Sequence, residues 1–303
     1  QEVAGEIGSN NTHSDDFEGS RGSFWLMAMG IQTESRPGGE ELAKIPGAEP
    51  STRLDPWWWL VALVLVVAVL LAALQPDPYW RILLFVRDGL LITVTVTIVS
   101  FVFVLLLGMF GGLGRLSRNP IIHTVATLYV ELIRGIPLLV QLIWWYFAFP
   151  VVIQQFGKWL NIPLLANYQA NAIFLAIVGL VFCYGAYMSE IYRAGIQSIP
   201  KGQMEAARSL GMTYFQAMRH VVLPQAVRVI LPPVGNEFIA LLKDSSLVSV
   251  VAVADLTRRG REFMSTHFNP IEVWTMVALI YLIMTLFSAR MVFWVEKKTR
   301  FER

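Results

Sequence analysis

Between Trp57 and Leu74 the chain carries no charged side chain at all, and that unbroken apolar run constrains the fold more than any motif does. In hydrocarbon no water satisfies backbone N–H and C=O groups, so a crossing segment must be a helix or part of a closed barrel. A helix needs about 20 apolar residues to cross. Composition places the whole chain in this class: 55% of 303 residues are apolar and 15% are charged, where a soluble domain carries about a quarter charged. A formal net charge of +2 gives no footprint for nucleic acid. The lone Cys183 cannot close an intrachain disulfide, and the scattered His13, His123, His220 and His267 show no metal-ligand spacing.

Residues 1–56 stand apart. Gly, Ser, Asn, Asp and Glu dominate, and no apolar periodicity persists beyond the short patch Phe24–Met27. Such a segment cannot bury enough apolar surface to offset its ordering entropy, so it reads as a mostly disordered tail. It also lacks the basic start and apolar core of a cleaved signal peptide. Trp57, Trp58 and Trp59 open the first run at what suits a headgroup level. A second run extends roughly from residue 89 to 108 and closes on Gly111, Gly112 and Gly114. A third runs from about 121 to 149, and Gly135 and Pro137 predict a two-part helix there. A fourth covers 170–191, a fifth is Pro-rich and ends at Leu242, and the last spans 273–295. Six alternating crossings put both termini on one side. The basic residues Arg115, Arg118, Arg193, Lys201, Arg208, Lys297 and Lys298 make that side cytoplasmic. Arg258, Arg259 and Arg261, in the opposite loop, break the rule and are candidates for meeting an acidic partner.

Between the fourth and fifth runs lies a polar, helix-forming segment. Pro200 precedes Lys201–Leu210, Gly211 suits a left-handed helix end, and a second helix is expected from Thr213 until Pro224 stops it. The order Glu205, Ala206, Ala207, then Gly211, then Val221, Leu223 and Pro224 resembles the EAA loop of ABC importer permeases, with Val221 where Ile is usual. Three further stretches look like the polar amino-acid branch of that family. They are Glu131 to Gln141, with Arg134, Gly135 and Pro137; Ser189 to Gly195, with Glu190 and Arg193; and Leu242 to Leu247. The resemblance covers about residues 85–300.

The resemblance implies an all-α integral membrane protein, a five-span type I permease core with one extra N-terminal transmembrane helix at 57–74. It implies a loop at 199–224 in which Glu205, Ala206, Ala207, Gly211, Leu223 and Pro224 engage a separate ABC ATPase. That ATPase would bind the ATP and magnesium, since this chain has no Gly-x-x-x-x-Gly-Lys phosphate loop and needs no cofactor of its own. A second permease chain, identical or related, and an extracytoplasmic solute-binding protein complete the expected complex in a bacterial inner membrane. Polar L-amino acids are the implied cargo.

An amino acid is a zwitterion, so its path needs donors and acceptors, and intramembrane charge is functional by default. Lys243, Ser245 and Ser246 are placed to receive the carboxylate while Asp244 faces the ammonium; alternatively Lys243 and Asp244 pair with each other. Glu190 stands at the inner mouth of the path or in an ion pair with Arg193, three residues on. Glu131 and Arg134 repeat that spacing, and Asn236 and Glu237 are weaker candidates. The competing class is a carrier driven by an ion gradient, which predicts inverted repeats that the sequence does not display. An intramembrane Ser/Lys enzyme built on Lys243 and Ser245 or Ser246 lacks any oxyanion motif.

Overall fold

The computed structural model describes residues 33–35, 41–43 and 56–299. The expectations for the remaining tail, including the patch Phe24–Met27, lie outside the described residues. The chain divides between Pro56 and Trp57 into two units. In the first, Thr33–Ser35 (β1) and Glu41–Ala43 (β2) pair antiparallel with Glu34 opposite Leu42.

The described part of the second unit is helical throughout. Helix α1 covers Pro56–Leu74 and α2 Pro76–Arg115; α3 covers Pro120–Arg134 and α4 Leu138–Trp159. The short α5 is Pro163–Ala166, α6 is Ala172–Gln197, α7 is Lys201–Ser209 and α8 is Tyr214–Ala217. Then come α9, Leu223–Asp244; a 3-10 segment, Ser245–Val251; α10, Leu256–His267; and α11, Pro270–Thr299. Five of the described helices are long and apolar enough to cross a membrane: α1, α2, α4, α6 and α11. The expected six crossings become five by this measure. Helix α9, the expected fifth span, is 22 residues long but carries Gln225, Arg228, Asn236 and Glu237. It packs on α6 and α11.

Two expected helix breakers do not end their helices, and the physical reasons differ. Helix α2 runs straight through Gly111, Gly112 and Gly114 to Arg115. Gly108 and Gly112, one turn apart, let α6 approach so closely that a Cβ at Gly108 would stand 2.5 Å from Met188. One at Gly112 would stand 2.9 Å from the Ser189 carbonyl oxygen. This is the small-residue seam by which membrane helices pack without a hydrophobic drive. Gly112→Leu is therefore expected to cost about 1–3 kcal/mol and to lower the unfolding temperature in detergent. Gly202→Ala, with nothing within 4 Å of the added methyl, leaves it unchanged or raised.

Pro224 is the second case. It does not stop the α8 helix. The residues Met218–Val222 widen into a π turn, and α9 continues from Leu223 with Pro224 in its first turn. A π turn absorbs the carbonyl that a proline leaves without a donor.

The break at Gly135–Pro137 is present, and its repair is specific. Pro137 has no N–H to offer Ile133, and the Gln141 side-chain amide donates to the carbonyls of Ile133 and Ile136 instead, both at 2.8 Å. Helix α4 then continues ten residues past Phe149, to Trp159, through a second π turn at Trp144–Ala148.

Two buried clusters hold the bundle. Val96 and Val104 of α2 meet Leu142, Leu180, Met188 and Leu241, joining α2, α4, α6 and α9. Ile82 and Val86 meet Leu256, Phe263 and Met276, joining the start of α2 to α10 and α11. Polar staples secure the second cluster. The Thr93 hydroxyl accepts from the Leu256 amide at 3.0 Å, and the Asp255 carboxylate caps α10 by accepting from Thr257 and Arg258 amides. Burial pushes the Asp255 carboxyl up, against those two amides, which hold it down.

Candidate translocation cavity and coupling segment

Helices α6 and α9, with the start of α4, enclose a cavity of about 230 Å³ lined by Leu138, Cys183, Tyr184, Tyr187, Glu237 and Asp244. Glu237 and Asp244 lie two helical turns apart, so α9 presents both carboxylates to one side. The Tyr184 hydroxyl donates to the Asp244 carboxylate at 2.7 Å. The Arg134 guanidinium sits 5.2 Å from the centre of the Tyr187 ring, at the margin of the same cavity. Gln141, which mends the α3–α4 break, also reaches the Cys183 sulfur at 3.6 Å. The cavity is small, polar on one wall, and lined by two carboxylates with no basic side chain among its lining residues. A small ligand bearing positive charge suits it.

The string Lys243–Ser246 therefore does not act together at this cavity. Asp244 lines it, but Lys243 is exposed and absent from its walls. Ser245 is buried with its hydroxyl donated to the Leu242 carbonyl at 2.8 Å, and Ser246 is not among the lining residues. Consecutive helical residues point about 100° apart, so neighbours cannot share a wall. Nor does Lys243 form the pair with Asp244; the partner of Asp244 is Tyr184.

Glu190 is likewise committed elsewhere. It accepts from Arg115 of α2 at 2.5 Å and from Arg193 one turn along α6. The ion-pair reading of Glu190 is the one the geometry favours. Glu131 faces Arg115 at 3.5 Å, and Arg134 turns to Tyr187, so the expected pairing of Glu131 with Arg134 is replaced by a wider network centred on Arg115. Arg258, Arg259 and Arg261, expected in a loop, lie on helix α10, and Arg258 bonds Glu262 at 3.0 Å. Arg259 ties Glu262 to Asp88 of α2 at 2.8 and 2.5 Å. Arg261 remains exposed.

Sequence reasoning missed Tyr184 and Tyr187 and underweighted Glu237. The seven-residue interval from Glu237 to Asp244 was the legible signal.

The segment 199–224 forms two helices joined by a glycine turn. Gly211 takes φ +85°, and the Met212 amide bonds back to the Ala207 carbonyl at 3.2 Å, closing α7 as expected. Thr213 caps α8, its hydroxyl accepting from the Gln216 amide while the Gln216 side chain accepts from the Thr213 amide. The two alanines differ. Ala207 is buried under the π turn that follows α8, whereas Ala206 faces out beside the exposed Glu205. Around them Leu210 is 82% exposed and Phe215 73%, with Tyr214, Leu223 and Pro224 also exposed. A polar helix pair that leaves so much apolar surface uncovered has the character of a docking surface.

Residues 104–301 match the family described as "binding-protein-dependent transport system inner membrane component". The chain is 34% identical over 245 residues to the arginine transport system permease protein ArgU of Corynebacterium glutamicum, covering 76% of each protein. It is 34% identical over 207 residues to the glutamine transport system permease protein GlnP of Escherichia coli K12, covering 68% of this chain and 89% of that protein. A solved amino acid ABC transporter structure matches with a TM-score of 0.64 at 38% identity, over 74% of this chain and 97% of that one. The all-α membrane fold is thus that of the ABC permeases. The chain belongs to the binding-protein-dependent transport system inner membrane components, and is a multi-pass permease subunit of an ABC transporter.

Proposed function

We propose that this permease carries polar amino acids inward, moved by a separate ATPase that docks on residues 199–224 and supplied by an extracytoplasmic solute-binding protein. The observation that carries this reading is the cavity of Glu237, Asp244, Tyr184 and Tyr187, reached by the same continuous helical run that begins in the exposed helix pair. An α-ammonium group sits between the two carboxylates, and the tyrosine hydroxyl adds a polar partner. A second positive charge on the side chain gains more from two carboxylates than a neutral side chain does, so basic amino acids are the preferred class. The names of the similar proteins, which include arginine and glutamine transport systems, support an amino-acid cargo. On the cytoplasmic face the ATPase covers Glu205, Ala206, Leu210 and Phe215, and Gly211 sets the angle between α7 and α8. A second permease chain brings the second coupling segment.

Reconstitution tests this directly. With its ATPase and binding protein in sealed vesicles, the permease is expected to concentrate labelled amino acid when ATP is supplied and no ion gradient exists. Lysine and arginine are expected to compete better than neutral or acidic amino acids. Uptake driven by an imposed ion gradient without ATP would support a secondary carrier instead.

A further inference from the structure

The added helix α1 touches the rest of its unit lightly: of its described side chains only Val64 is buried. Its seam with α11 is two clefts, of about 330 and 580 Å³, and both are walled in part by Leu65 and Ile283. Meeting at that shared wall, the two clefts follow one another along α1 as a largely apolar groove. No residue of this groove lines the translocation cavity. Its wider end is different in chemistry. There Trp57, Trp58 and Trp294 gather, and Arg290 lies 5.1 Å from the centre of the Trp58 ring and 5.0 Å from that of Phe293. About two turns further along α11, Lys297 and Lys298 are exposed, with the Lys298 ammonium 5.3 Å from the Trp294 ring centre.

Tryptophans of this kind mark the headgroup level, and basic groups beside them meet an anionic leaflet. Groove walls of Leu, Val, Ile and Phe lose dispersion contacts unless something apolar fills the space, and water does not. We propose that the α1–α11 groove is a binding site for one anionic glycerophospholipid, with an acyl chain along Leu65 and Ile283 and the phosphate at Arg290 and Lys298. The occupant is a lipid of the surrounding leaflet. Charge at the mouth and apolar character along the length match that molecule and no soluble anion.

The full chain, purified in detergent with equal phosphatidylglycerol and phosphatidylcholine, is expected to retain phosphatidylglycerol preferentially, read by native mass spectrometry. Arg290→Gln is expected to lower that retention about fivefold, the factor equivalent to ~1 kcal/mol per basic group at an anionic surface. Leu65→Trp fills the point where the clefts meet and expels the lipid with Arg290 intact. Phosphatidylglycerol carrying a photoreactive acyl chain is expected to cross-link to Val61, Leu65, Ile283 and Phe287. Equal retention of the two lipids overturns the proposal, as do cross-links spread evenly over the exposed faces of α2 and α4. Protein–protein cross-links from α1 of one copy to α11 of another overturn it as well, because a second chain then fills the groove.

Discussion

Glu205→Lys is expected to abolish ATP-driven uptake while the permease still reaches the membrane and unfolds at its usual temperature. The carboxylate is exposed in the same segment whose Leu210, Tyr214 and Phe215 leave apolar surface uncovered. At the proposed ATPase interface, reversing its charge would replace an attraction with a repulsion, which at an interface costs several kcal/mol. Gly211→Asp acts on the same event by another route. There is room for the side chain, since nothing lies within 4 Å of the added Cβ, but φ +85° is strained for it and the angle between α7 and α8 changes. The measurement is uptake and ATPase stimulation in vesicles, set beside the melting curve of each variant. Normal transport in Glu205→Lys would remove the coupling role from this segment.

Asp244→Asn is the second large effect. On the proposed reading an ammonium drawn into the cavity meets Glu237 and Asp244; removing one member of a desolvated charge pair costs about 2–5 kcal/mol, so uptake of a basic amino acid is expected to fall roughly 100-fold. Glu237→Gln gives a loss of the same order. Lys243→Gln leaves the rate close to that of the parent protein, because Lys243 is exposed outside the cavity although it adjoins Asp244 in sequence. The three initial rates, measured with ATPase activity held equal, separate a cation-accepting cavity from a site built on the whole Lys243–Ser246 string. If Lys243→Gln proves as damaging as Asp244→Asn, the substrate sits elsewhere.

Much of the architecture was readable from apolar runs and from residues with one conformational use. Trp57–Leu74 is a helix because its backbone has no other partner in hydrocarbon, and Gly211 turns left-handed because a helix ends there. The break before Pro137 was legible for the same reason; the Gln141 amide that fills it was not, since a long-range repair depends on how the helix turns afterwards. Gly111 to Gly114 misled in the opposite sense. Their local preference favours an ending, but the helix continues where Gly111 and Gly112 pack against Ser189 and Tyr192 of α6 and Gly114 against Ala126 of α3. At the cavity, adjacency along the chain was the wrong guide. Lys243 and Asp244 are neighbours that point apart, whereas Glu237 and Asp244 are distant in sequence and share a wall.

The helix that passes through Pro224 without stopping has a mechanical consequence. From Tyr214 through the π turn to Asp244 the backbone has no loop, and Leu223–Asp244 alone spans about 33 Å. On the proposed coupling, a push at Tyr214 or Phe215 would reach Glu237 and Asp244 as a lever stroke, with the π turn and the Pro232–Pro233 pair as points of compliance along the arm. The two carboxylates proposed to receive the cargo are thus mounted on the same arm that the proposed motor would push.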